Sequence, residues 1–225
     1  MADAIQAAGE TDSTAIILTA KHGQSPQNNS QLQRIDDGPI ISGVNAAWAA
    51  EHPSNTTLVV QEADDDGLLW WLSDRSQHAT EFVKNYLWTH SAAAVNFAGQ
   101  TITVQHSGLS QIFAGRESAE FFGVANSDPH HPDVFGTAQV GTIYTTGSKI
   151  AEHGGDNPGD RDVPLVVYAP SSVSPGQSDR WVENTQVAPT ILKLLGLDPN
   201  QLQAVREEGT QVLPGIGTQF GDWRR

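Results

Sequence analysis

Two histidine–glycine steps carry the most chemical information in this 225-residue sequence. His22-Gly23 follows the β-branched run 14–19, and His153-Gly154-Gly155 lies in the glycine-rich stretch 152–160. Imidazole is a common ligand of zinc and related metals, and a neighbouring glycine lets the backbone come close to a ligand. In open α/β sheets such groups gather in loops outside the carboxyl ends of strands. A solvated loop histidine is the plain alternative for each, and it stays open at this level. Other histidines have weaker company. Asp74 and His78 are spaced i, i+4 and share a face of a helix, where a helix-entry aspartate with an exposed histidine is the simpler reading. Asp128-Pro129-His130-His131-Pro132-Asp133 has ligands by count, but its prolines make it an extended turn whose adjacent histidines point apart. His52, His90 and His106 have no companions in sequence. The run Asp64-Asp65-Asp66 reads as a hairpin tip, since it lacks the glycine and terminal glutamate spacing of a calcium-binding loop.

Composition excludes several chemistries. There is no cysteine, hence no thiolate ligand, thiol nucleophile or disulfide, and redox compartment cannot be read from it. A formal net charge of -14 argues against a generic nucleic-acid or anionic-membrane surface. An anionic substrate stays compatible with it, because a bound metal reverses the local sign. No Gly-x-Ser-x-Gly elbow, phosphate-binding loop or dinucleotide fingerprint occurs. No apolar run approaches the roughly 20 residues of a membrane span. The first nine residues lack the basic and long apolar regions of a signal peptide.

The elements that must position these side chains follow from periodicity. Residues 1–9 read as the end of an amphipathic helix, and 14–19 as a buried, parallel strand. Residues 27–33 are loop-like, and Trp48 lies in a helix near 46–51. A hairpin is expected from 57–61, the acidic turn and 68–72. Helical spacing runs over 76–90 with Phe82, Tyr86 and Leu87 on one side, and a short helix over 117–122. Strands return at 140–144 and 164–168. An amphipathic helix covers 185–195 and stops at Gly196, and Asp198-Pro199 opens another. Ser107-Gly108 and Ser171-Ser172 read as turns, and the tail from Gly209 as irregular. Strands alternating with helices predict an α/β fold.

Four segments, in order, resemble a known family: Thr19-Ala20-Lys21-His22-Gly23-Gln24-Ser25-Pro26, Lys149-Ile150-Ala151-Glu152-His153-Gly154-Gly155, Gln186-Val187-Ala188-Pro189-Thr190-Ile191-Leu192 and Glu208-Gly209-Thr210-Gln211-Val212-Leu213-Pro214. Together they resemble the type I phosphodiesterase/nucleotide pyrophosphatase branch of the alkaline phosphatase superfamily, over nearly the whole chain. The resemblance implies a metal-dependent phosphoric ester hydrolase with a mostly parallel sheet between helices. It implies two divalent metals, usually zinc, beside a Thr or Ser nucleophile, with His22 and His153 matching two of the ligands. Lys21 stands where the family has an Asp ligand; an ammonium cannot ligate, but can clamp phosphate charge. Asp160 or Asp162 is expected to orient His153. The family's early Asp, its nucleophile and its Asp-x-x-x-His pair have no counterpart ahead of Lys21, and Asp74 and His78 come in the wrong order to supply the pair. The chain is therefore expected to be a C-terminal part of the fold, with 1–34 and 137–225 as core and 35–136 as an inserted, lid-like α+β lobe. Its expected partners are a small phosphate ester and a missing N-terminal segment, with neither nucleic acid nor membrane. A non-catalytic remnant or binding module is the alternative. The family is often exported, which leaves the compartment open.

Overall fold

A computed structural model describes residues 1–170, 173 and 175–216. The strands are β1 (Ile16–Leu18), β2 (Gln33–Ile35), β3 (Val59–Glu62), β4 (Gly67–Leu72), β5 (Ala92–Asn96), β6 (Thr101–Val104), β7 (Leu109–Ala114), β8 (Val134–Ala138), β9 (Thr142–Tyr144) and β10 (Val166–Tyr168). The helices are α1 (Ala2–Ala7), α2 (Gly38–Glu51), α3 (Gln77–Thr89), α4 (Arg116–Phe121), α5 (Pro158–Arg161), α6 (Val187–Leu194) and α7 (Gln203–Glu208). The class is mixed α/β, as expected. No helix among the described residues is long and apolar enough to cross a membrane. Contacts divide the chain into two compact units, His22–Asp162 and Met1–Lys21 with Val163–Arg225.

The unit His22–Asp162 is built on two four-stranded sheets, ordered β6-β5-β2-β9 and β3-β4-β8-β7. Alternation decides which face of β4 is buried: Leu68, Trp70 and Leu72 lie inside, with Trp70 wholly enclosed. The inward residues of both sheets join Ile40, Val44 and Trp48 from α2 and Ala79, Val83 and Leu87 from α3 in one hydrophobic core. Those helix positions recur at three- and four-residue intervals, which is why each helix lays a single stripe on the sheets. Ser76 starts α3 by accepting the Ala79 N–H at 3.3 Å. Asp133 braces the second sheet from within: its carboxylate accepts Leu72 N at 2.8 Å and Arg75 Nε at 2.5 Å.

The unit of Met1–Lys21 and Val163–Arg225 carries the two-stranded sheet β1-β10. No residue of β1 or β10 is buried, and Leu18 is 61 % exposed. Among the described residues its interior is small: Ala169, Pro189 and Thr190 of α6, Val205 of α7, Leu213 and Ile216. Thr190 Oγ1 accepts Leu213 N at 2.9 Å and donates to Gln186 O at 2.6 Å, fastening the C-terminal segment to α6.

Several expectations are corrected. β1 is antiparallel to β10 and not buried. Among the described residues β2–β9 is the one parallel pairing, against an expectation of mostly parallel strands. The reason is local: the turns after β3 and β5 are too short for a crossover helix, so each strand returns antiparallel. Residues 27–33 include a 3₁₀ turn at Asn29–Gln31 and the start of β2. The Ser171-Ser172 turn and the tail beyond 216 lie outside the described residues.

Candidate functional site

The two histidine loops meet within the unit His22–Asp162. Ser25 N donates to Glu152 O at 2.9 Å and Glu152 N to Ser25 O at 2.8 Å, a two-bond clasp just after one histidine and just before the other. Gly23 N adds a bond to Asp160 O at 2.7 Å. A side chain at Gly23 would run into the Gly159 carbonyl oxygen, so the glycine after His22 serves the approach of one loop to the other. The clasp brings the rings of His22 and His153 to 4.6 Å between centroids, tilted 33° to each other. His153 is exposed and His22 half-buried. His22 Nδ1 lies 2.8 Å from Gly23 O, so Nδ1–H donates there and the Nε2 lone pair is free.

Below the loops lies a buried acidic layer. Asp160 Oδ1 accepts Ser25 Oγ at 2.6 Å, and its Oδ2 accepts Asn157 N at 3.1 Å, closing the cap of α5. Asp66 is fully buried, no hydrogen bond reaches either of its carboxyl oxygens, and its N–H donates to His153 O at 3.2 Å. Gly155 fits over this pair: a Cβ there would lie 2.6 Å from Asp160 Oδ2 and 2.7 Å from Asp66 Oδ2. Burial first, then the Asp160 carboxylate, push the Asp66 carboxyl up to about 8, with the Glu152 charge adding and Ser25 opposing. Asp66 is thus a neutral acid at neutral pH. Asp64 is raised to about 8 as well, chiefly by burial, although it accepts Trp70 Nε1 at 2.8 Å and Leu69 N at 3.0 Å. Glu152 is buried and paired with Lys149.

Of the residues singled out from sequence, His22 and His153 are brought together. Lys21 is exposed and belongs to the other unit, as the last residue of its segment Met1–Lys21. Asp160 directs its hydrogen bonds to Ser25 and Asn157, and Asp162 is exposed at the end of α5, its N–H on Pro158 O. Asp66, Ser25 and Glu152 escaped the sequence reading. Asp66 reads locally as a turn residue, and only its contact with the His153 loop buries it. The isolated histidines turn out to have aromatic partners: His52 stacks on Trp48, His90 on Tyr86 and His106 on Trp88. His130 is exposed against Asp128, while the neighbouring His131 is buried.

An imidazole ring centroid stands roughly 3.2 Å from a metal held at the usual nitrogen distance, so two rings on one ion lie within roughly 6.4 Å. The pair His22–His153 meets that limit. Among the described residues, however, no group of three or more His, Asp or Glu is placed to hold a metal. Two imidazoles are half of a tetrahedral shell, and the buried carboxyls are engaged below the loops. The chain's own residues fit part of a zinc site and do not complete one.

The chain thus carries two clasped histidine loops on mixed α/β sheets. Among solved structures, the chain is similar to human ectonucleotide pyrophosphatase/phosphodiesterase 5, with a TM-score of 0.52 and 12% identity, covering 96% of this chain and 46% of that one. The chain spans about half the length of that protein, and the likeness is one of fold. No family model matches the chain, and no curated protein does.

Proposed function

We propose that the chain is the later part of a phosphoric ester hydrolase of phosphodiesterase or phosphatase type. Its His22 and His153 contribute to a divalent-metal site, the metal being zinc. The observation that carries this reading is the convergence of two loops, distant in sequence, on one pair of imidazoles. The remaining ligands and the nucleophile come from a segment outside this chain, and Lys21 clamps a phosphoryl oxygen electrostatically. Asp160 acts on the histidines indirectly, by anchoring Ser25 and with it the clasp. Residues 35–136 serve as an inserted lobe that shapes the substrate side. Bound metal in such an enzyme lowers the pKa of a coordinated hydroxyl. This chain's residues bind, orient and neutralise charge. Its ligand is a small phosphate ester.

The incomplete ligand set favours a second reading, a non-catalytic binding module of the same fold. One experiment addresses both. The purified chain, His22→Ala and His153→Ala are dialysed against zinc, analysed for bound metal, and assayed on nitrophenyl phosphate mono- and diesters. We expect zinc binding that falls in both variants, with weak or no turnover by the chain alone. Turnover that falls with His153→Ala places the catalytic machinery within the chain. Zinc content unchanged in both variants removes the histidines from any metal site and overturns the reading.

A further inference from the structure

The strands β2 and β5 pair only from Gln33↔Asn96 to Ile35↔Ala94, and beyond Ile35 the two chains part. A cavity of about 860 Å³ opens there, a volume usual for a small-molecule site. It is lined by Arg34 and Asp36 at the end of β2, Ala92 and Ala93 of β5, Tyr86 of α3 and the turn 145–148 after β9. The alanines leave room along β5. Tyr86 adds a flat wall, its ring stacked on His90 at 3.8 Å between centroids and 7° from parallel.

Arg34 is the unusual group in this lining. The unit His22–Asp162 has six lysine and arginine side chains, and five of them, Arg75, Lys84, Arg116, Lys149 and Arg161, are in ion pairs. Arg34 alone has no carboxylate partner among the described residues, in a chain of 26 acidic ones. Its guanidinium donates instead to Asn96 O at 3.1 Å and Lys149 O at 3.4 Å. Tying the turn after β9 to β5 explains those two bonds. It leaves the other guanidinium N–H groups without a protein partner, and the charge of a half-buried cation unbalanced. The side chain stands on β2, held between β5 and β9, so its direction is fixed. Beside it, Thr145 Oγ1 accepts Gly147 N at 3.2 Å and keeps its own hydrogen to donate, and the Thr146 and Ser148 hydroxyls have no protein partner. Asp36 makes no ion pair with Arg34; its Oδ1 accepts Gly38 N at 3.0 Å and its Oδ2 remains an unused acceptor.

We propose that this cavity binds a small hydroxylated organic anion, with its carboxylate or phosphate on Arg34 and a hydroxyl on Asp36. The planar guanidinium matches either oxyanion, and the hydroxyls of the turn 145–148 add donors on the same side. Asp36 repels a bare anion and accepts a hydroxyl, so the two residues together select ligands that carry both groups. The ligand's carbon chain lies along Ala92, Ala93 and the Tyr86 ring. The site needs no metal and does not depend on the His22–His153 pair.

Isothermal titration calorimetry of the full chain, with a chelator present to keep metal out, tests this. Gluconate and glycerol phosphate are the probes, and acetate and glycerol each carry one of the two groups alone. Saturable one-to-one binding of a hydroxylated anion is expected, about tenfold or more tighter than acetate or glycerol. The tighter of the two probes identifies the oxyanion, and either one supports the site. Arg34→Gln, with folding checked by circular dichroism, weakens binding by about tenfold or more, and Arg34→Lys restores part of it. Asp36→Ala, an exposed change, narrows the preference for the hydroxylated anion over acetate. The proposal is overturned if neither probe binds at millimolar concentration, if acetate binds as tightly as gluconate and glycerol phosphate, or if folded Arg34→Gln binds like the parent.

Discussion

The unit His22–Asp162 and the unit formed by Met1–Lys21 with Val163–Arg225 are stabilised in different ways. The first encloses two tryptophans, Trp48 and Trp70, between sheets and helices, and buries Asp133 with its partners satisfied. The second rests on a two-stranded sheet without a buried residue and on a few contacts around Thr190, Val205 and Leu213. A two-stranded ribbon is marginal in water, whereas sheets with a covered apolar face are not. Both histidines of the candidate site belong to the first unit. The candidate site thus lies in the unit with the larger core.

The contrast can be broken most forcefully at the core. Trp70→Ala is expected to cost about 3–5 kcal/mol in denaturant unfolding, while Val205→Ala in the other unit costs at most about 2 kcal/mol. Equal losses would mean that the units share their stability evenly. Next comes the brace under the second sheet. Arg75→Ala leaves the Asp133 carboxylate buried with Leu72 N as its remaining partner, and the expected loss is about 3 kcal/mol. A loss below about 1 kcal/mol, measured the same way, would show that solvent reaches Asp133.

The third effect depends on pH and vanishes in acid. The folded value of Asp66, about 8, lies above its ordinary 3.8. Its contribution to stability is therefore complete below about pH 3.8 and is lost as pH rises through about 8. Asp66→Asn removes the titrating group at a place where no hydrogen bond holds its oxygens. The variant should be more stable than the parent by about 5 kcal/mol at pH 8 and nearly equal to it at pH 4, with a flatter profile between. Thermal melts across that range would show parallel profiles if Asp66 ionises normally in the folded chain.

Much of the first unit could be read from residues alone. The hairpin β3–β4 announced itself by alternation around Asp64-Asp65-Asp66-Gly67, and α3 by Ser76 and the spacing of Phe82, Tyr86 and Leu87. The strands β5 to β8 left weaker traces. Ala92-Ala93-Ala94 is as compatible with a helix, and β8 is buried on both faces, so it shows no alternation. β1 misled because an Ile-Ile-Leu run reads as core wherever it occurs, while its exposure depends on what packs against it. Within the candidate site, His22 and His153 were legible from residue type and flanking glycines. The clasp between Ser25 and Glu152 and the burial of Asp66 were not, because both arise from contacts between segments far apart in the chain.

The central claim is that His22 and His153 act as one ligand pair. Imidazole ¹⁵N spectra of the chain, recorded during a Zn²⁺ titration, test it most directly. The account predicts that the Nε2 signals of His22 and His153 move together at the same zinc equivalent, with both changes abolished by His153→Ala. A His22 signal that still shifts in that variant, or two signals that never respond to zinc, would contradict it.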